Sequence, residues 1–254
     1  MGKTIAAVIP TFDDLEVSSI AIPYACQWAD QVVVLDGGST DGTLDFLEFF
    51  ARNQRKLTVR RMAANEALTR GFDWLRNEAA SFARTDWIFA MDADTIVEPT
   101  ETDYLRGVIG STRDRVLGLT RINLLPDGEP STALMRWMQL TTNPVCCRET
   151  EPKFWIHRRM NGYAFKGFIH EELRYHGGAA TGPMLKLTLW HLAHLKSEQL
   201  RRRKSLRLAY LYSELAKNPL QCEGINGYWF QSFYPANKEQ IEADAREYRR
   251  IHGK

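Results

Sequence analysis

The run Trp87-Ile88-Phe89-Ala90-Met91-Asp92-Ala93-Asp94 constrains this chain more than any other. A short apolar stretch with polar sequence on both sides reads as a buried strand, and this one ends in two carboxylates one residue apart. Like charges at a strand tip repel, so cations must lie close by or water must reach them. Ligands of open α/β sheets sit beyond the carboxyl ends of the strands, which puts Asp92 and Asp94 where a substrate would be. Oxygen donors of this kind suit Mg²⁺ or Mn²⁺ better than zinc. An isolated Asp-x-Asp is more often a solvated acidic turn, and the weight comes from the rest of the chain.

Two earlier runs end in the same manner. Residues 5–9 form an apolar stretch stopped by Pro10-Thr11-Phe12-Asp13-Asp14, so a first strand delivers Thr11 and Asp13 to the same sheet edge. A helical pattern over 15–28, broken near Pro23, leads to a second strand over 31–35. That strand ends in Asp36-Gly37-Gly38-Ser39-Thr40-Asp41-Gly42-Thr43. Paired glycines permit a tight turn, and Ser39, Thr40 and Asp41 suit the cap of a helix through Leu44, Leu47 and Phe50. The turn has neither the Gly-x-Gly-x-x-Gly spacing of a dinucleotide site nor the lysine of a phosphate loop. A third strand over 57–60 and one helix over 66–82 follow. The helix buries Leu68, Phe72, Leu75 and Ala79 and carries Arg70 near its start.

The 254 residues, 44% hydrophobic and 25% charged, are enough for one large α/β domain, alone or with an appendage. A formal charge of +2 neither demands nor excludes an anionic partner. Cys26, Cys146, Cys147 and Cys222 make no Cys-x-x-Cys pair, so reduced thiols are expected rather than a zinc knuckle. The N-terminus enters a strand pattern without a secretory signal, and no apolar run approaches membrane-spanning length. A soluble cytoplasmic protein without a transmembrane segment is the expectation.

Taken together, Val8-Ile9-Pro10-Thr11-Phe12, then Val34-Leu35-Asp36-Gly37-Gly38-Ser39-Thr40-Asp41-Gly42-Thr43, then Met91-Asp92-Ala93-Asp94 resemble the nucleotide-sugar-binding half of family 2 glycosyltransferases. The resemblance implies the GT-A fold, a Rossmann-like, mostly parallel α/β sheet flanked by helices. It also implies inverting sugar transfer from a nucleoside diphosphate sugar with Mn²⁺ or Mg²⁺. Carried over by position, Pro10, Thr11 and Asp36 would touch the nucleoside, and Arg70 would assist the diphosphate. Asp92 and Asp94 would bridge the metal, with Asp94 the more direct ligand. Gly37 stands where many relatives have a second Asp.

In the second half, a helix over 101–109, a strand over 116–125 and a turn at Pro126-Asp127-Gly128-Glu129-Pro130 continue the α/β pattern. Residues 134–159 gather Trp137, Phe154, Trp155, His157, Arg158 and Arg159, either a surface that stacks on sugars or bases, or core aromatics beside cations. Gly167-Phe168-Ile169-His170-Glu171-Glu172 resembles the Gly-x-x-His-Glu segment of lipopolysaccharide-core-type transferases. That makes Glu171 the candidate base, Glu172 its reserve and His170 an orienting or phosphate-contacting group. Members of the fold often complete the metal site with a late histidine. His191, ending the apolar run from Leu185, matches best, and His194 competes.

A helix over 197–217 carries Arg201, Arg202, Arg203, Lys204 and Arg207, a solvated face or an attraction to the diphosphate or to an anionic acceptor such as a lipid-linked glycan or nucleic acid. Asn218-Pro219 ends it. Tyr228, Trp229, Phe230, Phe233 and Tyr234 are expected to dock a final helix over 239–252. Residues 1–195 are thus expected to form the catalytic domain, divided near residue 100 into donor and acceptor halves, with a helical extension over 196–254. The rival functions are a nucleotidyltransferase of sugar phosphates, and a non-catalytic nucleotide-sugar or nucleic-acid binding module.

Overall fold

A computed structural model describes residues 2–125, 147–169, 171–217 and 225–253, with backbone alone at 64, 65, 67, 147–152 and 225–233. Four strands, β1 (Ile5–Thr11), β2 (Gln31–Asp36), β3 (Leu57–Arg61) and β4 (Trp87–Ala90), run parallel in the order β3-β2-β1-β4. Their apolar runs are continuous because helices cover both faces. Ile5, Ala7, Ile9, Val32, Val34, Trp87 and Phe89 share a core with residues of α1 (Leu15–Trp28) and α2 (Thr43–Ala51). Ala6, Val8, Val33, Leu35 and Ile88 pack with Leu75 and Ala79 of α4 (Phe72–Ser81). With this strand order the chain reverses direction across the sheet between β1 and β4, and a crevice opens beyond their carboxyl ends.

The sheet continues past β4 as a mixed structure. A short β5 (Thr95–Val97) follows Asp94, and α5 (Thr102–Ser111) precedes β6 (Val116–Leu124). Then come β7 (Cys147–Arg158), antiparallel to both β4 and β6, and β11 (Met184–His191), parallel to β6 and antiparallel to β5. A second sheet holds β8 (Tyr163–Lys166), β9 (Glu172–Tyr175) and β10 (Gly178–Ala179). Two long helices, α6 (Glu198–Lys217) and α7 (Ile225–His252), close the chain. They share a cluster with Leu68 of α3 (Ala64–Arg70) and with Phe168 and Ile169. No helix among the described residues is long and apolar enough to cross a membrane.

Several expectations change. The helix expected over 66–82 is two helices, α3 and α4, parted at Gly71, whose φ of +89° suits glycine. A Cβ there would lie 2.6 Å from Phe168 Cδ2, so the break also lets the Phe168 segment approach. Conversely, α1 runs unbroken through Pro23. The helix before β6 begins as a 3₁₀ turn at Pro99–Glu101. The last helix starts at Ile225, well before residue 239. Trp155 and His157 are buried, with Arg76, Arg121 and Lys153 over the Trp155 ring, so this part of the aromatic segment is core beside cations. Tyr234 is buried. The turn at 126–130, Trp137, Cys146, His170, Asn218, Pro219 and Cys222 lie outside the described residues, as do the side chains of Cys147, Tyr228, Trp229, Phe230 and Phe233.

Candidate functional site

The loop after β4 carries Asp92 and Asp94 into the crevice, and strand register brings the next group to them. In the antiparallel pairing of β5 with β11, His191 stands opposite Thr95, the residue after Asp94. In the parallel pairing of β11 with β6, His191 stands opposite Asn123. The His191 Nε2 is 3.4 Å from Asp94 Oδ1, and its Nδ1 is 2.6 Å from Asn123 Oδ1. With a carboxamide oxygen facing it, Nδ1 donates, and Nε2 is the nitrogen turned toward the carboxylate. An imidazole nitrogen and a carboxylate oxygen that face one another at this distance need a proton or a cation between them. One ligand atom each from Asp92, Asp94 and His191 lie within 4.8 Å of one another, a donor set of oxygens and one imidazole that fits Mn²⁺ or Mg²⁺.

Cations already surround these carboxylates. Asp94 Oδ2 is 2.8 Å from Lys196 Nζ and 3.2 Å from Lys204 Nζ. Lys196 also meets Asp14 at 2.6 Å, so a fully buried ammonium is shared by two carboxylates. Burial alone would raise the Asp94 carboxyl. The ammoniums of Lys196 and Lys204, with His191, outweigh it and hold the group well below the ordinary carboxylate range. Asp92 follows the same logic. Burial and the neighbouring Asp94 push it up, while Arg76 and Arg121 bring it down to a net lowered value.

Arg76 joins this pair to the third carboxylate. From α4 its Nη2 donates to Asp92 Oδ1 (2.6 Å), its Nη1 to the Met91 carbonyl (3.1 Å) and its Nε to Glu171 Oε1 (2.6 Å). Neighbouring residues on the same helix fasten the segment that leads to Glu171. Asn77 exchanges two hydrogen bonds with the Phe165 backbone, Gly167 N donates to Asp73 Oδ2 (3.1 Å), and Phe72 N donates to Phe168 O (2.8 Å). Glu171 Oε2 has no partner among the described residues. Glu172, by contrast, sits in β9 and pairs with Arg174 at 2.8 Å.

At the other strand tips the fit is uneven. Thr11 lies beside Asp36 in the β1–β2 register, and its Oγ1 is buried without a hydrogen-bond partner. Pro10, the residue before it, is half-buried. Asp36 is fully buried and spends its carboxylate on the glycine turn, accepting from Gly38 N (2.9 Å), Ser39 N (2.8 Å) and Ser39 Oγ (2.6 Å). Burial nevertheless raises its carboxyl above the ordinary value. Asp41, not Ser39 or Thr40, serves the helix start, accepting from Thr43 N at 3.0 Å.

Arg70 is exposed on α3, stacked on Trp74 and 3.8 Å from Glu66, with no hydrogen bond or ion pair to the strand tips. His194 is exposed on a 3₁₀ turn and is not one of the three converging ligands, although the charges of His191, Asp94 and Lys204 act on it. The basic helix is not one solvated face. Arg202 pairs with Asp244 and Glu247, Lys204 reaches Asp94, and Arg207 is buried, donating to the Phe12 carbonyl. Sequence reasoning missed Arg76, Arg121, Asn123 and Lys196. Only Lys196, next to the strand that ends in His191, sits where the linear order would draw the eye.

The comparisons agree with this architecture. Residues 8–139, which take in the tips of β1, β2 and β4, match the family model for glycosyl transferase family 2. No curated protein matches the chain. A crystal structure of S. aureus TarS, residues 1–349, is similar with a TM-score of 0.50 and 17% identity, over 82% of this chain and 65% of that one. A TarS complex with UDP-GlcNAc has a TM-score of 0.42 and 21% identity, over 49% of this chain and 36% of that one. The mannosyltransferase PcManGT from Pyrobaculum calidifontis, in complex with GDP-Man and Mn²⁺, has a TM-score of 0.47 and 14% identity, over 96% and 74%. The chain spans less than two thirds of the TarS structures it matches. With more than half of its residues inside the family match, and the matched strands ending at the crevice, this chain belongs to glycosyltransferase family 2.

Proposed function

We propose that the chain transfers a sugar from a nucleoside diphosphate sugar to an acceptor hydroxyl, with inversion at the anomeric carbon. The observation that carries this reading is the convergence of Asp92, Asp94 and the Nε2 lone pair of His191 beside Glu171. Those first three residues would hold Mn²⁺ or Mg²⁺, which when bound supplies positive charge to a diphosphate as it leaves. Thr11, Pro10 and the turn held by Asp36 receive the nucleoside. The diphosphate role that the resemblance gives to Arg70 passes to cations at the strand tips, Arg121 among them.

Glu171 is the base. Arg76 fixes its Oε1 and leaves Oε2 for the proton. The acceptor oxygen bonds to the anomeric carbon as the bond from that carbon to the diphosphate breaks, and the hydroxyl proton passes to Glu171.

The test is a panel of uridine and guanosine diphosphate sugars with Mn²⁺, scored for nucleoside diphosphate release and for the anomeric configuration of the product. Glu171→Gln is expected to lower turnover by about a hundredfold or more while donor binding persists. Asp94→Ala is expected to lose both transfer and metal-dependent donor binding. Full activity in either variant removes its assigned role, and release of pyrophosphate would make the chain a nucleotidyltransferase instead.

A further inference from the structure

Lys204 and Lys196 share Asp94 Oδ2 but differ in how they are held. The Lys196 side chain is 0% exposed and fixed by Asp14 as well. The Lys204 side chain is 35% exposed, extends from the surface of α6, and has Asp94 as its partner among the described residues. Two ammoniums use both lone-pair directions of that oxygen. A divalent ion on the same carboxylate would feel their repulsion, and only Lys204 can withdraw without leaving a buried charge unpaired.

The charge balance points the same way. Asp14, Asp92, Asp94 and Glu171 are matched by Lys196, Arg76, Arg121 and Lys204. A divalent ion would add an excess of positive charge, and a sugar-linked diphosphate would bring the negative charge that cancels it. As the sugar departs, the diphosphate gains one further negative charge.

One turn along the same face of α6, Arg207 donates to the Phe12 carbonyl at 2.8 Å and lies over the Phe12 ring. The helix therefore spans from the tip of β4 to the tip of β1, across the crevice in which a ligand of such a sheet lies. An ammonium released from Asp94 stays tethered inside that space.

We propose that Lys204 is a tethered counter-cation, which covers Asp94 when the site is empty, competes there with the divalent ion, and passes to the diphosphate when metal and donor bind. The proposal rests on the metal-binding reading given above. Its test uses the full-length chain, titrated with Mn²⁺ alone and followed by the electron paramagnetic resonance signal of the free ion. Lys204→Met is compared with wild type, with Arg203→Met, which removes the same charge from the neighbouring exposed position, and with Asp94→Ala.

Lys204→Met is expected to bind Mn²⁺ about tenfold more tightly than wild type, and Arg203→Met to change affinity by less than about twofold. At saturating Mn²⁺, the same Lys204→Met protein is expected to bind UDP or GDP about tenfold more weakly than wild type. If wild type binds Mn²⁺ in an Asp94-dependent manner and Lys204→Met binds it no more tightly, the role of Lys204 is overturned and the metal reading stands. If no protein in the set binds Mn²⁺, both are overturned. Unchanged nucleotide affinity in Lys204→Met overturns the transfer to the diphosphate.

Discussion

The guanidinium of Arg76 ties together two carboxylates contributed by distant parts of the chain, and it does so while almost fully buried between the Trp155 and Phe165 rings. Removing it leaves Glu171 in low dielectric without its cation and Asp92 with only the more distant Arg121. Arg76→Met is therefore expected to lower stability by about 3 kcal/mol, measured by chemical denaturation, and a loss below about 1 kcal/mol would show that water already screens the pair. His157 supplies a second residue-level prediction. Burial pushes its imidazole down to about 4, with Nδ1 beside the Arg158 carbonyl at 3.0 Å and Nε2 buried without a partner. The folded protein thus binds this proton less readily than the unfolded chain. Its contribution is fully present above the ordinary histidine value and is lost as pH falls from about 6.5 to about 4, by on the order of 3 kcal/mol. His157→Phe should flatten the stability profile over that window. The lowered carboxyls of Asp92 and Asp94 act in a separate, more acid window, since their stabilisation is lost only as pH falls below the ordinary carboxylate value. A slope unchanged between those two pH values in His157→Phe would count against the buried neutral imidazole. Arg76 was not legible in the sequence because Leu75-Arg76-Asn77-Glu78 reads as ordinary polar helix. Its partners come from a strand tip and from the loop before β9, and no local pattern reports them.

At the scale of elements, the strand tips could be read because parallel strands covered on both faces have unbroken apolar runs, and polar or glycine residues mark where each one ends. That is why the sequence alone puts Thr11, Asp36, Asp92 and Asp94 on one edge. Register between distant strands leaves no such mark. The pairings of β5 with β11 and of β11 with β6 put Asn123 against His191, and Asn123 was therefore missed. Its carboxamide oxygen faces Nδ1 and turns Nε2 toward Asp94, the orientation the proposed metal site needs. If His191 ligates the metal as proposed, Asn123→Ala is expected to weaken Mn²⁺ binding by about tenfold or more with little change in the melting temperature, as outer partners of metal-ligating histidines do. Equal Mn²⁺ affinity in wild type and variant would show that the imidazole is oriented by something else. Gly71 teaches a complementary lesson. The apolar periodicity over 66–82 runs straight across Gly71 and predicts one helix, whereas its positive φ and the approach of Phe168 make it a break between two.

For the molecule as a whole, the sequence suggests a division near residue 195, because a basic, strongly helical tail follows the last strand. The contacts across that point argue for one cooperative unit. Lys196 is buried between Asp14 and Asp94, Ser197 N donates to Glu16 Oε2 at 2.8 Å, and Arg207 reaches the Phe12 carbonyl. Leu206, Ala209, Leu211 and Leu215 of α6, with Tyr234, Ile241 and Tyr248 of α7, bury Leu68, Phe168 and Ile169. Those last two residues lie in the segment that positions Glu171, so loosening the tail would loosen the proposed base. Scanning calorimetry of the full chain is expected to show a single transition with a calorimetric to van't Hoff enthalpy ratio of about 1. Adding a nucleoside diphosphate with Mn²⁺ should shift that whole transition upward, since a ligand held by the strand tips stabilises everything that unfolds with them. A ratio well above one, with an early transition that the ligand leaves in place, would mean that the two C-terminal helices melt apart from the catalytic sheet and that the ties through Lys196 and Arg207 are too weak to couple them.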